Sequence, residues 1–69
     1  MKTGTIRMVS RGRDFGFVKP DDGSTDTFIH IRDAQASGIA ELLEGTRIRY
    51  AEQLDQRSGK YRAVELQVL

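Results

Sequence analysis

Two short runs of alternating aromatic residues, separated by a turn-forming segment, constrain the fold of this chain most strongly. Phe15 and Phe17 alternate in the first run, and Phe28 and His30 alternate in the second. Because alternate side chains of a β-strand lie on the same face, each pair is expected to point to one side of a sheet. Residues 21–25, between the runs, are rich in types that favour turns. The pattern therefore predicts an antiparallel hairpin with its rings side by side on one face.

The opposite face of this hairpin decides whether the rings belong to the core or to the surface. Alternating aromatic residues in a strand usually form the buried face of a sheet. Here Val18 and Ile29 alternate with the rings and can supply the core, while Gly16 allows another backbone to approach closely. The rings are then available at the surface, where the basic Arg13 and Lys19 flank them. Flat rings beside cations suit unpaired nucleic acid, because bases stack on rings and phosphates attract cations.

The remaining alternation and turn signals predict an all-β chain with five strands. The strands are predicted near residues 4–10, 15–19, 26–31, 46–53 and 60–68. In the long connection between the third and fourth strands, residues 39–44 favour a short helical turn that ends at Gly45, and Leu42 and Leu43 are expected to cover an open end of the sheet. Closure of the strands into an antiparallel OB-fold barrel would remove exposed edges, and an SH3-like barrel is the alternative. The residues expected in the core are Ile6, Val18, Ile29, Ile48 and Tyr50.

Length and composition exclude several classes of protein. The 69 residues predict a single domain over residues 1–69. Cysteine is absent, which excludes disulfides and thiolate metal sites and fits a reducing cytoplasm, the predicted location. The chain shows neither an apolar leader nor a long apolar run, so secretion and membrane insertion are not expected.

Charge is distributed unevenly along the chain, although the net charge is only +1. Residues 1–20 hold five basic residues and one acidic residue, residues 21–45 hold one basic and six acidic, and residues 46–69 hold five basic and three acidic. The two basic parts are expected to converge into one patch, with the acidic middle turned away from it.

The order of these motifs resembles the cold-shock domain nearly from end to end. Phe15–Gly16–Phe17–Val18 is similar to the RNP1 motif of that family, Phe28–Ile29–His30 is similar to RNP2, and Glu44–Gly45 follows at the expected distance. The resemblance implies a five-stranded OB barrel that binds single-stranded RNA or DNA. It also implies roles such as RNA chaperoning or the regulation of transcription or translation.

Several positions depart from the family pattern and remove aromatic rings. Aliphatic residues replace the usual aromatic residues at Met8, Val9, Ile31 and Ile39. Asp14 replaces the first glycine of RNP1, and Glu65 replaces an asparagine of the last strand. The chain therefore resembles a divergent, aromatic-poor member, for which weak binding with little sequence preference is expected.

The predicted interface combines stacking rings with cations that contact phosphates. His30 is expected to stack or to form a hydrogen bond with the ligand, and a structural hydrogen bond at the barrel rim is its alternative role. The predicted nucleic-acid-binding residues are Arg7, Met8, Arg13, Phe15, Phe17, Lys19, Phe28, His30, Ile31, Arg57 and Lys60. The expected partner is single-stranded RNA or DNA, bound by a monomer.

A protein-interaction module on the same barrel is the alternative function. The four aliphatic replacements cannot stack on bases as rings do, and an exposed patch of such residues is typical of protein-binding surfaces. An enzyme is not expected, because one histidine, no cysteine and no paired acid–base residue predict no catalytic site, cofactor or small-molecule substrate. Asp21, Asp22 and Asp26 lack the spacing and the distal glutamate of a calcium loop, so no metal site is predicted.

Overall fold

Five β-strands and one short α-helix follow one another in a computed structural model that describes residues 1–69. The elements are β1 Lys2–Val9, β2 Phe15–Pro20, β3 Thr27–His30, α1 Ile31–Ala36, β4 Arg47–Asp55 and β5 Lys60–Val68. Neighbouring strands pair in the order β1-β2-β3-β5-β4 and close into a barrel. The predicted five-stranded OB-type barrel is confirmed, and the strand bounds agree with the prediction to within two residues.

One strand pair departs from the predicted antiparallel arrangement. β3 and β5 run parallel and share a single ladder pair, Phe28 with Arg62, whereas the other four strand pairs are antiparallel. The cause is geometric, because strand directions cannot alternate all the way around a closed ring with an odd number of strands. The seam between β3 and β5 therefore closes the barrel with its shortest ladder.

The barrel interior is filled by apolar residues that point inward from the strands. The predicted core residues Ile6, Val18, Ile29, Ile48 and Tyr50 are each at most 2% exposed. The other core residues are Ala34, Leu42, Ala63 and Leu66. Burial of a large aliphatic side chain stabilises a fold by about 1.5–3 kcal/mol, so this small set of residues provides most of the apolar driving force. Burial also raises the pKa of the Tyr50 phenol.

A bulge in β1 changes which of its side chains reach the surface. The ladder with β2 pairs Ile6 with Val18 and then Met8 with Phe17, so Arg7 is the extra residue. Ile6 is buried, whereas Arg7 and Met8 are both exposed. The bulge therefore places two neighbouring residues of the predicted interface on the outer surface of the barrel.

Gly16 lies where β1 and β2 come close together. A Cβ atom added to Gly16 would lie 2.5 Å from the carbonyl oxygen of Met8 and 3.6 Å from Cδ1 of Leu42. The first distance is far below a normal contact, so only glycine fits here. This confirms the predicted close approach, which lets β2 keep its inner face tightly packed and turn its rings outward.

The connection between β3 and β4 contains the predicted short helix, but at its beginning rather than over residues 39–44. The helix starts directly after β3 because Nδ1 of His30 accepts a hydrogen bond from the Arg32 N–H (3.0 Å), which caps the first turn. Ala34 then anchors the helix in the core. Gly38 follows with a φ of 86°, a left-handed conformation that stops the helix. No helix in the chain is long and apolar enough to cross a membrane.

Leu42 reaches the core from the irregular part of this connection. Its side chain is fully buried, whereas Leu43 is 46% exposed. The predicted cover of the barrel end is therefore formed by Leu42 with the partly buried Ile39, and Leu43 takes no part in it. Arg13 helps to hold the segment, because its Nη1 donates a hydrogen bond to the Leu42 carbonyl (3.0 Å).

Candidate nucleic-acid interface

Three phenylalanines and one histidine form a ring face on the outer side of β2 and β3. The ladder pairs Phe15 with His30 and Phe17 with Phe28, which brings all four rings together. The Phe28 ring centre lies 5.7 Å from those of Phe15 and Phe17 and 6.4 Å from that of His30. All four side chains are half-buried, so each keeps part of its surface in solvent. The predicted clustering of rings on one sheet face is confirmed.

His30 has a structural role as well as a place on the ring face. Its Nδ1 accepts the hydrogen bond that caps α1, which assigns the ring proton to Nε2. The alternative anticipated for this residue, a hydrogen bond at the barrel rim, is therefore present. The ring is still half-exposed beside Phe28, so Nε2–H and one ring surface can meet a ligand while Nδ1 holds the helix.

The predicted interface residues of β1 and the following turn are partly engaged by other groups. Met8 is opposite Phe17 in the ladder and is 40% exposed, so it extends the ring face with an apolar but non-aromatic side chain. The Arg7 guanidinium pairs with Asp26 at 3.3 Å. Arg13 adopts a positive φ of 58°, and its guanidinium is bonded to the loop before β4. Arg7 is thus paired with a carboxylate, whereas Arg13 keeps its charge and is held in place by a backbone carbonyl.

Lys19 is the next outward-facing residue of β2 after Phe15 and Phe17. Its side chain is exposed and forms no ion pair. Alternation along the strand places it on the same face as the two rings. It is therefore available to a phosphate next to the ring face.

A cleft of about 640 Å³ lies between the ring face and the turn that joins β4 to β5. Arg57 and Lys60, both predicted to contact phosphates, border this cleft together with Arg32, Tyr61 and Arg62, which are absent from the predicted interface. The full lining is Phe17, Phe28, His30, Arg32, Asp33, Asp55, Arg57, Ser58, Lys60, Tyr61 and Arg62. In the sequence, only their closeness to predicted residues could have indicated that Arg32 and Tyr61 border the cleft. Arg32 follows His30 by two positions, and Tyr61 follows Lys60 directly.

Most of the aliphatic replacements lie against the core rather than on the surface. Val9, Ile31 and Ile39 are partly buried and pack against the core cluster, which leaves Met8 as the exposed member of the set. Ile31, the first residue of α1, is therefore not brought to the cleft, in contrast to its place in the predicted interface. The contiguous apolar patch on which the protein-interaction alternative depends does not form at these positions.

Acidic residues of the middle of the chain lie against basic residues of β1 and β4. Asp21 accepts two hydrogen bonds from Arg47 (2.6 and 2.8 Å), and these, with one from Thr3, lower its pKa to about 2. Asp26 pairs with Arg7. The expectation that the acidic middle turns away from the basic residues is wrong for this segment. The cause is that the β2–β3 turn packs beside the start of β1, where the Asp21 N–H donates to the Thr3 carbonyl (2.9 Å).

Comparison with known proteins agrees with this architecture. The sequence model of the "Cold-shock" DNA-binding domain matches residues 2–69. A probable cold shock protein of Sinorhizobium fredii is 43% identical over 67 residues, which cover 97% of each chain. Cold shock protein CspA of Rhizobium meliloti is 38% identical over 66 residues, 96% of each chain, and cold shock-like protein CspE of Escherichia coli is 36% identical over 47 residues, 68% of each chain.

The match to the family model spans nearly the whole barrel, from the start of β1 to the end of the chain. It therefore includes the ring face, the cleft and the strands that support them. The chain belongs to the cold-shock domain family, whose members bind single-stranded nucleic acids.

Proposed function

We propose that this protein binds unpaired segments of RNA or DNA by stacking bases on Phe15, Phe17, Phe28 and His30. The observation that carries the proposal is the ring face, in which four half-exposed rings lie within 6.4 Å of a neighbour on the outside of a barrel. A soluble fold normally buries such rings, and here the inner face of the same strands is already filled. Phosphates are contacted by Lys19, Arg57 and Lys60.

Binding is weak and has little sequence preference. Each stack of a base on an aromatic ring is worth about 1–3 kcal/mol, and every base has a surface that can stack. Met8 is the one replaced position that remains exposed. Counting about one lost stack relative to an aromatic-complete cold-shock domain therefore gives a deficit of roughly 1–3 kcal/mol, a factor of about five to a hundred and fifty in affinity. Pyrimidine-rich strands are preferred because they are flexible enough to follow the rings.

Residues 1–69 act as one binding domain and as a monomer in the cytoplasm. Weak binding without strong sequence preference suits a chaperone that keeps RNA single-stranded, or a regulator of transcription or translation that acts through RNA structure. The ring face and its neighbouring cations need no cofactor, metal ion or small-molecule substrate for this activity.

Substitution of Phe17 tests the proposal directly. Phe17→Ala is expected to reduce affinity for an oligothymidylate or oligouridylate by roughly five- to a hundredfold at low salt, because one stacking ring is lost. Phe17→Leu, which keeps the apolar contact but removes the ring, should lose nearly as much. Met8→Trp, which adds a ring opposite Phe17, should strengthen binding. Fluorescence anisotropy measures affinity, and circular dichroism checks that each variant is folded.

Two results would contradict the proposal. The first is an affinity of Phe17→Ala equal to that of the unmodified protein. The second is unmeasurable binding of every single-stranded oligonucleotide by the folded, unmodified protein, which would favour a different class of ligand for the ring face.

A further inference from the structure

Met8 is the one sulfur-containing side chain beside the ring face. The chain has two methionines and no cysteine, and Met1 borders a depression next to Val64 and Leu66 that includes none of the four rings. We propose that Met8 is a modification site, at which oxidation of the thioether to a sulfoxide by a hydroperoxide weakens the binding of single-stranded nucleic acid. The inference rests on the proposed function and adds reversible redox control to it.

The bulge in β1 places Met8 at the edge of the ring face. Met8 is paired with Phe17 in the β1–β2 ladder. Residues directly opposite each other in an antiparallel pair lie on one face of the sheet, with Cβ atoms about 4.5–5.5 Å apart. The Phe17 ring centre lies 6.2 Å from that of Phe15 and 5.7 Å from that of Phe28. A base stacked on Phe17 therefore also covers the Met8 side chain.

Met8 is accessible to a small oxidant in the unbound protein. It is 40% exposed, whereas Val9, Ile31 and Ile39 pack against the core and contain no sulfur. Susceptibility of sulfur to oxidation follows exposure, and thiolates are the usual competing targets. Because the chain has no cysteine, a peroxide finds only the two methionine sulfurs to oxidise.

The reaction is a two-electron oxidation of the Met8 sulfur. A sulfur lone pair attacks the hydroxyl oxygen of the hydroperoxide, and the O–O bond breaks as the S–O bond forms. The departing oxygen takes up the proton of the transferred oxygen and leaves as water when the oxidant is hydrogen peroxide. Thiol-dependent methionine sulfoxide reductases reverse the change, because two thiols are oxidised to a disulfide and the sulfoxide oxygen leaves as water.

The sulfoxide changes the surface that Met8 presents to a base and leaves the core intact. Met8 is not a member of the core cluster, so its oxidation removes no core contact. A thioether is apolar and packs favourably against aromatic rings. A sulfoxide is polar, and the face of a stacked base carries no hydrogen-bond donor to replace the water that it displaces. Covering the oxidised side chain is therefore unfavourable.

Treatment of the folded protein with hydrogen peroxide tests the proposal. Peptide mass spectrometry measures sulfoxide at Met8 and at Met1 separately. Fluorescence anisotropy with an oligothymidylate of about seven nucleotides, within the range that one OB fold covers, should show an affinity reduced roughly five- to a hundredfold by Met8 oxidation. Reductases for both sulfoxide epimers should restore the affinity. Circular dichroism and thermal melting should be the same before and after treatment.

Met8→Leu is the matched control, because it has no sulfur at this position and still carries Met1. Each protein is compared with its own untreated sample, so the treated variant reports the effect of Met1 oxidation alone. Peroxide should leave the affinity of Met8→Leu at its untreated value. Met8→Gln places a polar side chain of similar length at the same position, and without treatment it should bind about as weakly as the oxidised protein.

Protection by the ligand gives a second measurement that does not depend on a variant. A saturating oligothymidylate should slow sulfoxide formation at Met8 and leave the rate at Met1 unchanged, because only Met8 is covered by the bound strand. Equal rates at Met8 with and without the oligonucleotide would place Met8 outside the interface and contradict the inference.

The remaining outcomes separate this inference from the proposed function. If Phe17→Ala lowers affinity but Met8 oxidation does not, the inference is wrong and the ring face still binds. The inference is also wrong if Met8→Leu loses as much affinity on treatment, if Met1 is oxidised while Met8 stays reduced, or if oxidation of Met8 unfolds the barrel. If no single strand binds before treatment, the proposed function is itself wrong and the inference fails with it.

Discussion

Two residues of this barrel adopt a backbone conformation that their side chains disfavour. Arg13 has a φ of 58° and Glu65 a φ of 53°, both in the left-handed region. Glu65 lies at a register shift of the β4–β5 ladder, where β5 has more residues than β4 between two successive pairs. A left-handed residue costs about 1–2 kcal/mol when its Cβ meets the following carbonyl, and asparagine pays less of this cost than most residues. The bulge therefore stores strain at Glu65.

Glu65→Asn is expected to stabilise the fold. Relief of part of the strain should raise the free energy of unfolding by about 0.5–1 kcal/mol, which corresponds to a few degrees in Tm for a domain of this size. Urea denaturation followed by circular dichroism measures the change. Glu65→Gln is the control, because it removes the same charge without the same tolerance of a left-handed backbone, and it should leave stability unchanged. Equal stabilisation by both variants would assign the effect to charge instead.

At the scale of elements, hydrogen bonds and ion pairs connect the β2–β3 turn to β1 and β4. Asp21 follows β2 and binds Arg47 of β4 and Thr3 of β1. Lys2 at the start of β1 lies 3.3 Å from Asp22 and 3.2 Å from Glu52 of β4. Hydrogen bonds from Arg47 to Asp21, and from Ser24 to Asp22, lower the pKa of both aspartates to about 2. These side chains are exposed, so the pairs are screened by salt.

Acid should weaken the barrel through these two aspartates. Because their pKa values are lower in the folded protein than the ordinary 3.8, the stabilisation is complete above about pH 4 and is lost as the pH falls toward about 2. Thermal melting between pH 5 and about 2 should show a decreasing Tm, with a smaller decrease in Asp21→Asn and at high salt. A Tm of Asp21→Asn that follows the unmodified protein throughout would show that the Asp21–Arg47 pair contributes nothing to this dependence.

At the scale of the whole molecule, ion pairing decides where the positive charge is available. The net charge is +1, and Lys2, Arg7, Arg47 and Arg62 are each paired with a carboxylate. The remaining basic residues include Arg32, Arg57 and Lys60, which border the cleft, and Lys19 beside the rings. A nearly neutral protein can therefore still present a local cationic surface to a polyanion.

Binding should depend on salt in proportion to the phosphates contacted. With about three to five cations engaged, the logarithm of the binding constant should fall with the logarithm of the salt concentration with a slope of about −2 to −3.5. Arg57→Gln and Lys60→Gln should each reduce the slope by roughly 0.7. Arg49→Gln should leave it unchanged, because Arg49 is bonded to Gln67 and does not line the cleft. A slope near zero would mean that phosphates are not contacted.

The local pattern of the sequence was sufficient for the strands, the core and the ring face. Alternation is a property of neighbouring residues, so Ile6, Val18 and Tyr50 could be assigned inward without knowledge of any partner strand. The same alternation placed Phe15 and Phe17 outward. A closed barrel with an odd number of strands also requires a parallel pair, which follows from the strand count alone.

Only the tertiary structure decided which strands meet and which charges neutralise one another. The helix forms after His30 rather than near residue 39 because a side-chain cap and the burial of Ala34 act there, and both depend on the assembled barrel. Arg7 of β1 pairs with Asp26, which lies directly before β3. Tyr61 borders the cleft because β5 pairs with β3. These contacts join residues far apart in the chain, and periodicity carries no information about such pairs.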